Sequence, residues 1–226
     1  DHRAEDGPAA GGPKDDSYEW PSSTITLAVV AATTLAVTLL SHQAPLDWAN
    51  TAVGGTFLFV TWLAVLRHDS PRIVAHGLAL GGVTEPRRLE PRRLLLELAT
   101  AVGWALLLAL IFFPPFWFGF RYWWGVHTFS LKLPTGFADQ VLGQLLVIAL
   151  PEEAFFRGYL QSALEGRWNK TIRVFGADVG PGLVVATLIF AVGHVLTIPN
   201  PARLAVFGPA LLFGWLRART GGIGAG

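Results

Sequence analysis

Apolar and polar positions along this chain fall in long blocks, not in short alternations. No residue from Pro21 to Leu46 carries a formal charge, and Thr24–Leu40 is the apolar heart of that block. About twenty apolar residues in a row cross a bilayer as a helix, so this is a first predicted span. Trp48–Leu66 is a second. Residues 67–93 then turn polar, with Arg67, Arg72, Arg87, Arg88, Arg92 and Arg93. A third span is expected over Leu94–Phe113, with Glu97 near its start, and it should stop at Pro114-Pro115 because proline breaks the helical ladder. Val141–Leu164, Leu183–Ile198 and Leu204–Leu216 supply a fourth, fifth and sixth. The closing "GGIGAG" opens toward a further span beyond Gly226. The expectation is an all-α, polytopic membrane bundle with six spans visible and at least one more to come. Residues 1–20 read as a flexible, solvated acidic tail and 21–226 as the membrane domain, truncated at its C-terminus.

Composition agrees with the pattern. Of 226 residues 52% are hydrophobic, and the mean hydropathy is +0.45, an apolar excess above that of soluble domains. The connecting segments 67–93, 165–180 and 217–220 hold eleven Lys and Arg; the alternate segments 41–47, 121–140 and 199–203 hold three. Positive residues stay on the cytoplasmic side, so the N-terminus is expected in the cytoplasm of a plasma or inner membrane. The absence of cysteine excludes disulfides, thiolate chemistry and zinc–thiolate sites. Methionine is absent too, even at position 1, so the sequence is read as processed, or as a piece of a longer chain. Phe112 to Trp124 holds nine aromatics, the composition of an interfacial belt or of the rim of a substrate entrance. The arginines at 87–93 are explained as a topology signal, with anionic lipid a weaker option. His42, His68, His76 and His127 fall in connecting segments and receive no role. The expected partners are the bilayer and a membrane-associated peptide, not nucleic acid.

One stretch breaks the apolar rule. "PEEAFFRGYLQ", residues 151–161, places Glu152, Glu153 and Arg157 inside the fourth span. Each such charge costs roughly 2.5–3.5 kcal/mol at the middle of a membrane helix. Glu153 and Arg157 stand four apart with the acid first, the favourable order for a helical ion pair. On spacing alone a structural pair is as good a reading as a catalytic one. Glu152 points about 100° away around the helix, so Arg157 does not obviously satisfy it. A carboxyl without a partner in a low dielectric keeps its proton to higher pH than in water and can act as a general base. Of the six histidines only His194, in "FAVGH", lies well inside a span; Phe190 precedes it by one turn. By helical rise, Glu152 and His194 each sit about 16 Å from the start of their spans, both near mid-bilayer. Pro151 removes a backbone donor, so a kink, a wet pocket or the start of a half-helix is expected beside Glu152.

"EEAFFR" and "FAVGH", about forty residues apart, resemble the Glu-Glu-x-x-x-Arg and Phe-x-x-x-His motifs of the CPBP family of intramembrane proteases. That family includes type II CAAX prenyl endopeptidases and bacterial bacteriocin-processing proteins. The resemblance covers roughly residues 140–226, and "PEEAFFRGYLQ" is close in style to myxosortases. It implies that Glu152 and His194 activate the attacking water, that Glu153 and Arg157 shape the site, and that Phe190 lies beside the substrate. It also implies a later helix bearing a His and an Asn or Asp. The family has been described both as metal-dependent and as metal-free; if a metal such as zinc is used, Glu152 and His194 are the candidate ligands. The implied activity is hydrolysis of a peptide bond in a prenylated C-terminus, a leader peptide or a C-terminal sorting signal. Two non-enzymatic readings compete: a proton-coupled transporter with a Glu–Arg–His relay, and an immunity or scaffold protein that keeps the fold without turnover.

Overall fold

The computed structural model describes residues 18–85, 89–125 and 135–226. Arg87, Arg88, His127 and most of the acidic N-terminal segment lie outside the described residues. Seven helices and one hairpin make up the described chain. Helix α1 is Ser23–Gln43. Helix α2 runs from Leu46–Thr61 into a wider π-wound end, Trp62–Leu66. Helix α3, Ser70–Ala75, and a 3-10 turn at Leu80–Gly82 lead to α4, Pro91–Trp124. Helix α5 covers 137–168 as five continuous segments, Phe137–Gly143, Gln144–Ala149, Leu150–Glu153, Ala154–Gln161 and Ser162–Trp168, the second and fourth π-wound. Strands β1, Ile172–Val174, and β2, Ala177–Val179, pair antiparallel. Helix α6, Pro181–Thr197, a 3-10 turn at Pro201–Val206, and α7, Phe207–Thr220, follow. The fold is all-α in class, and three helices (α1, the second over Trp48–Leu66, and α4) are long and apolar enough to cross a membrane.

The third predicted span is corrected. Helix α4 does not end at Pro114-Pro115 but continues through both prolines to Trp124. Proline's fixed φ is itself helical; what is lost is each proline's own N–H, which leaves a carbonyl one turn back without its donor, and membrane helices tolerate this. At 34 residues the helix is about 51 Å long, well beyond the roughly 30 Å hydrocarbon core. The aromatic run is therefore its helical extension. No residue of α4 is buried. It meets the rest of the chain mainly near its start: Arg93 pairs with the buried Glu85 at 2.6 Å, and Trp104 packs edge-on against Trp215 of α7.

The protein interior centres on α5. Glu153 through Leu164 are buried without interruption, packed against Val30 and Val37 of α1, Phe57 of α2 and Phe190 of α6. Pro151 does not begin a half-helix. The backbone runs on through it, and the turn before it is π-wound. In a regular α-helix the carbonyl that loses its donor to Pro151 would be that of Val147. Gly54 of α2 fits against that carbonyl and the proline ring, where any Cβ would collide with the Val147 oxygen. The proline thus becomes a notch for close helix contact.

Two connecting segments are more ordered than their polarity suggests. Tyr18 and Trp20, assigned from sequence to the solvated tail, pack their rings 5.8 and 5.0 Å from that of His76. His76 is fully buried, and Tyr159 of α5 also stacks on it at 6.3 Å. The residues of "GGIGAG" pack back on the protein: Ile223 donates its N–H to the Gly77 carbonyl at 3.1 Å, and Gly226 lies against the Glu153 carboxylate.

Candidate active site

Arg157 is the hub of the charged motif. It is 2% exposed, and three groups hold its guanidinium. Nε faces Glu153 Oε1 at 3.4 Å, Nη2 donates to the Ala210 carbonyl of α7 at 3.3 Å, and the planar head lies over the Phe190 ring, 4.5 Å from its centre. The pairing of Glu153 with Arg157 expected from their spacing is thus present, and α6 and α7 complete it. A charge this deep needs such company, because removing it from water costs several kcal/mol. Nη1 of Arg157 and Oε2 of Glu153 remain buried without hydrogen-bond partners among the described residues.

Helices α5 and α6 run antiparallel, and Phe156 meets Phe190 with ring centres 5.0 Å apart. Four residues earlier on α5 is Glu152, and four later on α6 is His194. Stepping one turn from the same contact, in opposite sequence directions, brings both residues to one level on the facing sides of the two helices. Glu152 is half-buried and makes no hydrogen bond or ion pair among the described residues. His194 is also half-buried, its ring 4.3 Å from that of Phe190. Its Nδ1 lies 3.1 Å from the Phe190 carbonyl. A carbonyl only accepts, so that bond places the proton on Nδ1 and leaves Nε2 as an acceptor in the neutral ring. Both Glu152 and His194 lie within electrostatic reach of Arg157.

The geometry offers no ready metal site among the described residues. Glu153 is committed to Arg157, and among the described residues no three His, Cys, Asp or Glu side chains are grouped to hold an ion. Glu152 and His194 alone do not make the usual three-ligand set of a catalytic zinc site.

Two residues that sequence reasoning passed over fix the relative position of the three helices. Gln161, one turn beyond Arg157, donates through Nε2 to the Gly214 carbonyl at 3.0 Å and to the Glu165 carboxylate at 3.4 Å. Arg157 and Gln161 therefore reach two α7 carbonyls that are also one turn apart. Glu165 in turn accepts from the Gly180 N–H at 3.2 Å, at the start of α6, where a carboxylate complements the helix dipole. Gly182 and Gly214 have no room for a Cβ beside this network: at Gly182 one would meet Glu165 Cγ at 2.6 Å, and at Gly214 Gln161 Oε1 at 2.7 Å. The i,i+4 spacing of Arg157, Gln161 and Glu165 was readable. The carbonyl acceptors were not, because every residue carries one.

Comparison with known proteins points the same way. Residues 134–226 match the family model described as Type II CAAX prenyl endopeptidase Rce1-like. No curated protein and no solved structure matches the chain. The matched segment contains α5, α6 and α7, with both motifs, and it bears out the likeness to the CPBP and CAAX proteases. Together with its apolar helices, this marks an integral membrane protein related to proteases.

Proposed function

We propose that the protein is an intramembrane endopeptidase in which Glu152 and His194 activate water. The supporting observation is the Phe156–Phe190 contact, whose register brings Glu152 and His194 level on adjacent helices while Arg157 is held by Glu153, Phe190 and Ala210. Glu152, free of any ion pair, takes the proton from water. Nε2 of His194 accepts the second hydrogen bond and orients the oxygen. The oxygen attacks the scissile carbonyl, and the negative charge that develops lies near the fixed positive field of Arg157. Glu152 then returns its proton to the leaving amine, so the net reaction consumes one water per bond broken. Phe190 is a wall of the pocket and the platform for Arg157. Substrates on this reading are membrane-associated peptides, such as lipidated C-termini or signals with a single span. The N-terminus is placed on the cytoplasmic side.

The test is Glu152→Gln, co-expressed with membrane-anchored reporter peptides of those types, and product masses read by mass spectrometry. Cleavage should be lost while the variant keeps the wild-type melting temperature in detergent. Cleavage at the wild-type rate would refute the assignment of Glu152.

A further inference from the structure

The hairpin between α5 and α6 contradicts the rules for its own turn. Its two central residues, Phe175 and Gly176, both have positive φ, +46° and +79°. Two-residue turns of this kind favour Asn-Gly, Asp-Gly or Gly-Gly, because a left-handed backbone crowds a bulky side chain. Gly176 obeys; Phe175 does not. Its ring gains no compensation inside the protein, for the residue is 89% exposed and stacks on no other ring among the described residues. Ile172, on the adjoining strand, is 70% exposed. Strain kept without an internal return points to an external one.

The base of the hairpin, by contrast, is anchored. Ala177 and Val179 are buried with Leu183, and the Trp215 indole N–H donates to the Val174 carbonyl at 2.9 Å. The tip is therefore presented at a fixed place, where α5 ends, α6 begins and the last turn of α7 arrives. Cations gather there. Lys170 and Arg173 are exposed on the hairpin, and the Arg219 guanidinium of α7 lies beside Gly176. Among the described residues of the hairpin one acid opposes them, Asp178, cross-strand from Arg173. Apolar side chains flanked by a surplus of positive charge, at the shared end of membrane helices, complement an anionic lipid interface.

We propose that Phe175 and Ile172 dip into the bilayer interface beside the helices, and that Lys170, Arg173 and Arg219 hold the tip there by anionic headgroups. The hairpin is then a lipid-reading anchor at the junction of the two motif helices. This assignment does not depend on the proteolytic reading.

The 226 residues include no cysteine, so Ile172→Cys introduces a single labelling site. Labelled with an environment-sensitive nitrobenzoxadiazole dye, the protein is placed in phosphatidylcholine nanodiscs with and without phosphatidylglycerol. The emission should be blue-shifted, shielded from aqueous iodide and quenched by headgroup-level doxyl lipid, more strongly with phosphatidylglycerol. Lys170→Gln should raise the anionic lipid fraction needed for half the effect by up to about fivefold, the factor one cation contributes near such a surface. Phe175→Asn should weaken shielding while keeping or raising the melting temperature in detergent, since Asn tolerates the left-handed turn. Free access of iodide to the dye would overturn the proposal. So would shielding without doxyl-lipid quenching, which would assign the tip to a protein contact, and so would a Phe175→Asn protein that melts lower in detergent.

Discussion

Helices α4 and α5 are the two longest among the described residues, and they use apolar residues in opposite ways. Helix α4 has no charged residue from Leu98 to Phe120, yet none of its residues is buried by the protein. Leu106, Leu110, Phe116 and Tyr122 all stand open. Helix α5 carries two acids and an arginine in six residues, yet Glu153 to Leu164 form the most enclosed stretch of the chain. In water the assignments would be reversed. In a bilayer lipid covers an apolar helix on every side at no cost, whereas a charge must be turned inward to partners of its own. The burial of Glu153 and Arg157 on α5 is therefore a signature of polarity that must be satisfied.

The largest test of that contrast is Arg157→Ala. It leaves Glu153 buried without its cation and frees the Ala210 carbonyl, so a loss of about 3–5 kcal/mol is expected. Thermal or denaturant unfolding in detergent would measure it. Replacing both partners, as in Glu153→Met with Arg157→Met, should recover most of the loss; if the double variant is as unstable as the single, the pair is not the source of the cost.

A smaller effect concerns the connector packed on α5. Burial, with Arg217 and Arg72 nearby, pushes His76 down from its usual 6.5 to about 3. The unfolded chain therefore binds a proton at this site that the folded chain refuses. The contribution of neutral His76 is intact above about pH 6.5 and is lost as pH falls toward 3, by up to about 1.4 kcal/mol per pH unit. A His76→Phe variant should show a flatter decline in melting temperature between pH 6.5 and 4. An unchanged slope would mean that other groups carry the acid sensitivity.

The smallest change is expected on α4. Leu106→Ala removes a lipid-facing side chain and leaves no protein cavity, so its effect should stay within about 0.5 kcal/mol. A loss of the size seen for core leucines, roughly 2–5 kcal/mol, would show that α4 is covered by protein and would break the comparison.

Much of the site was legible because its chemistry is locally abnormal. Glu152, Glu153 and Arg157 stand out in an apolar run, the i,i+4 rule pairs two of them, and His194 is the sole histidine deep in a predicted span. Their expected joint depth came from counting residues at a fixed rise. The aromatic clamp on His76 was not legible, because Tyr18 and Trp20 sit in an acidic stretch and His76 in a basic one. Nor was the continuation of α4 through Pro114-Pro115, since a proline pair reads as a stop unless the surroundings tolerate the lost donors. The Gln161–Glu165 link was half legible: its spacing was visible, its backbone partners were not.

By itself, then, the sequence determined the class and the candidate chemistry: helices, a membrane, a protease-like pair of motifs. Periodicity, hydropathy and charge are properties of residues and of neighbours along the chain, and they need no third dimension. The tertiary structure alone decided which carbonyls receive Arg157 and Gln161, how Gly54 seats Pro151, and that Phe156 meets Phe190. Those contacts join residues far apart in sequence, and their geometry is set by how three helices pack against one another.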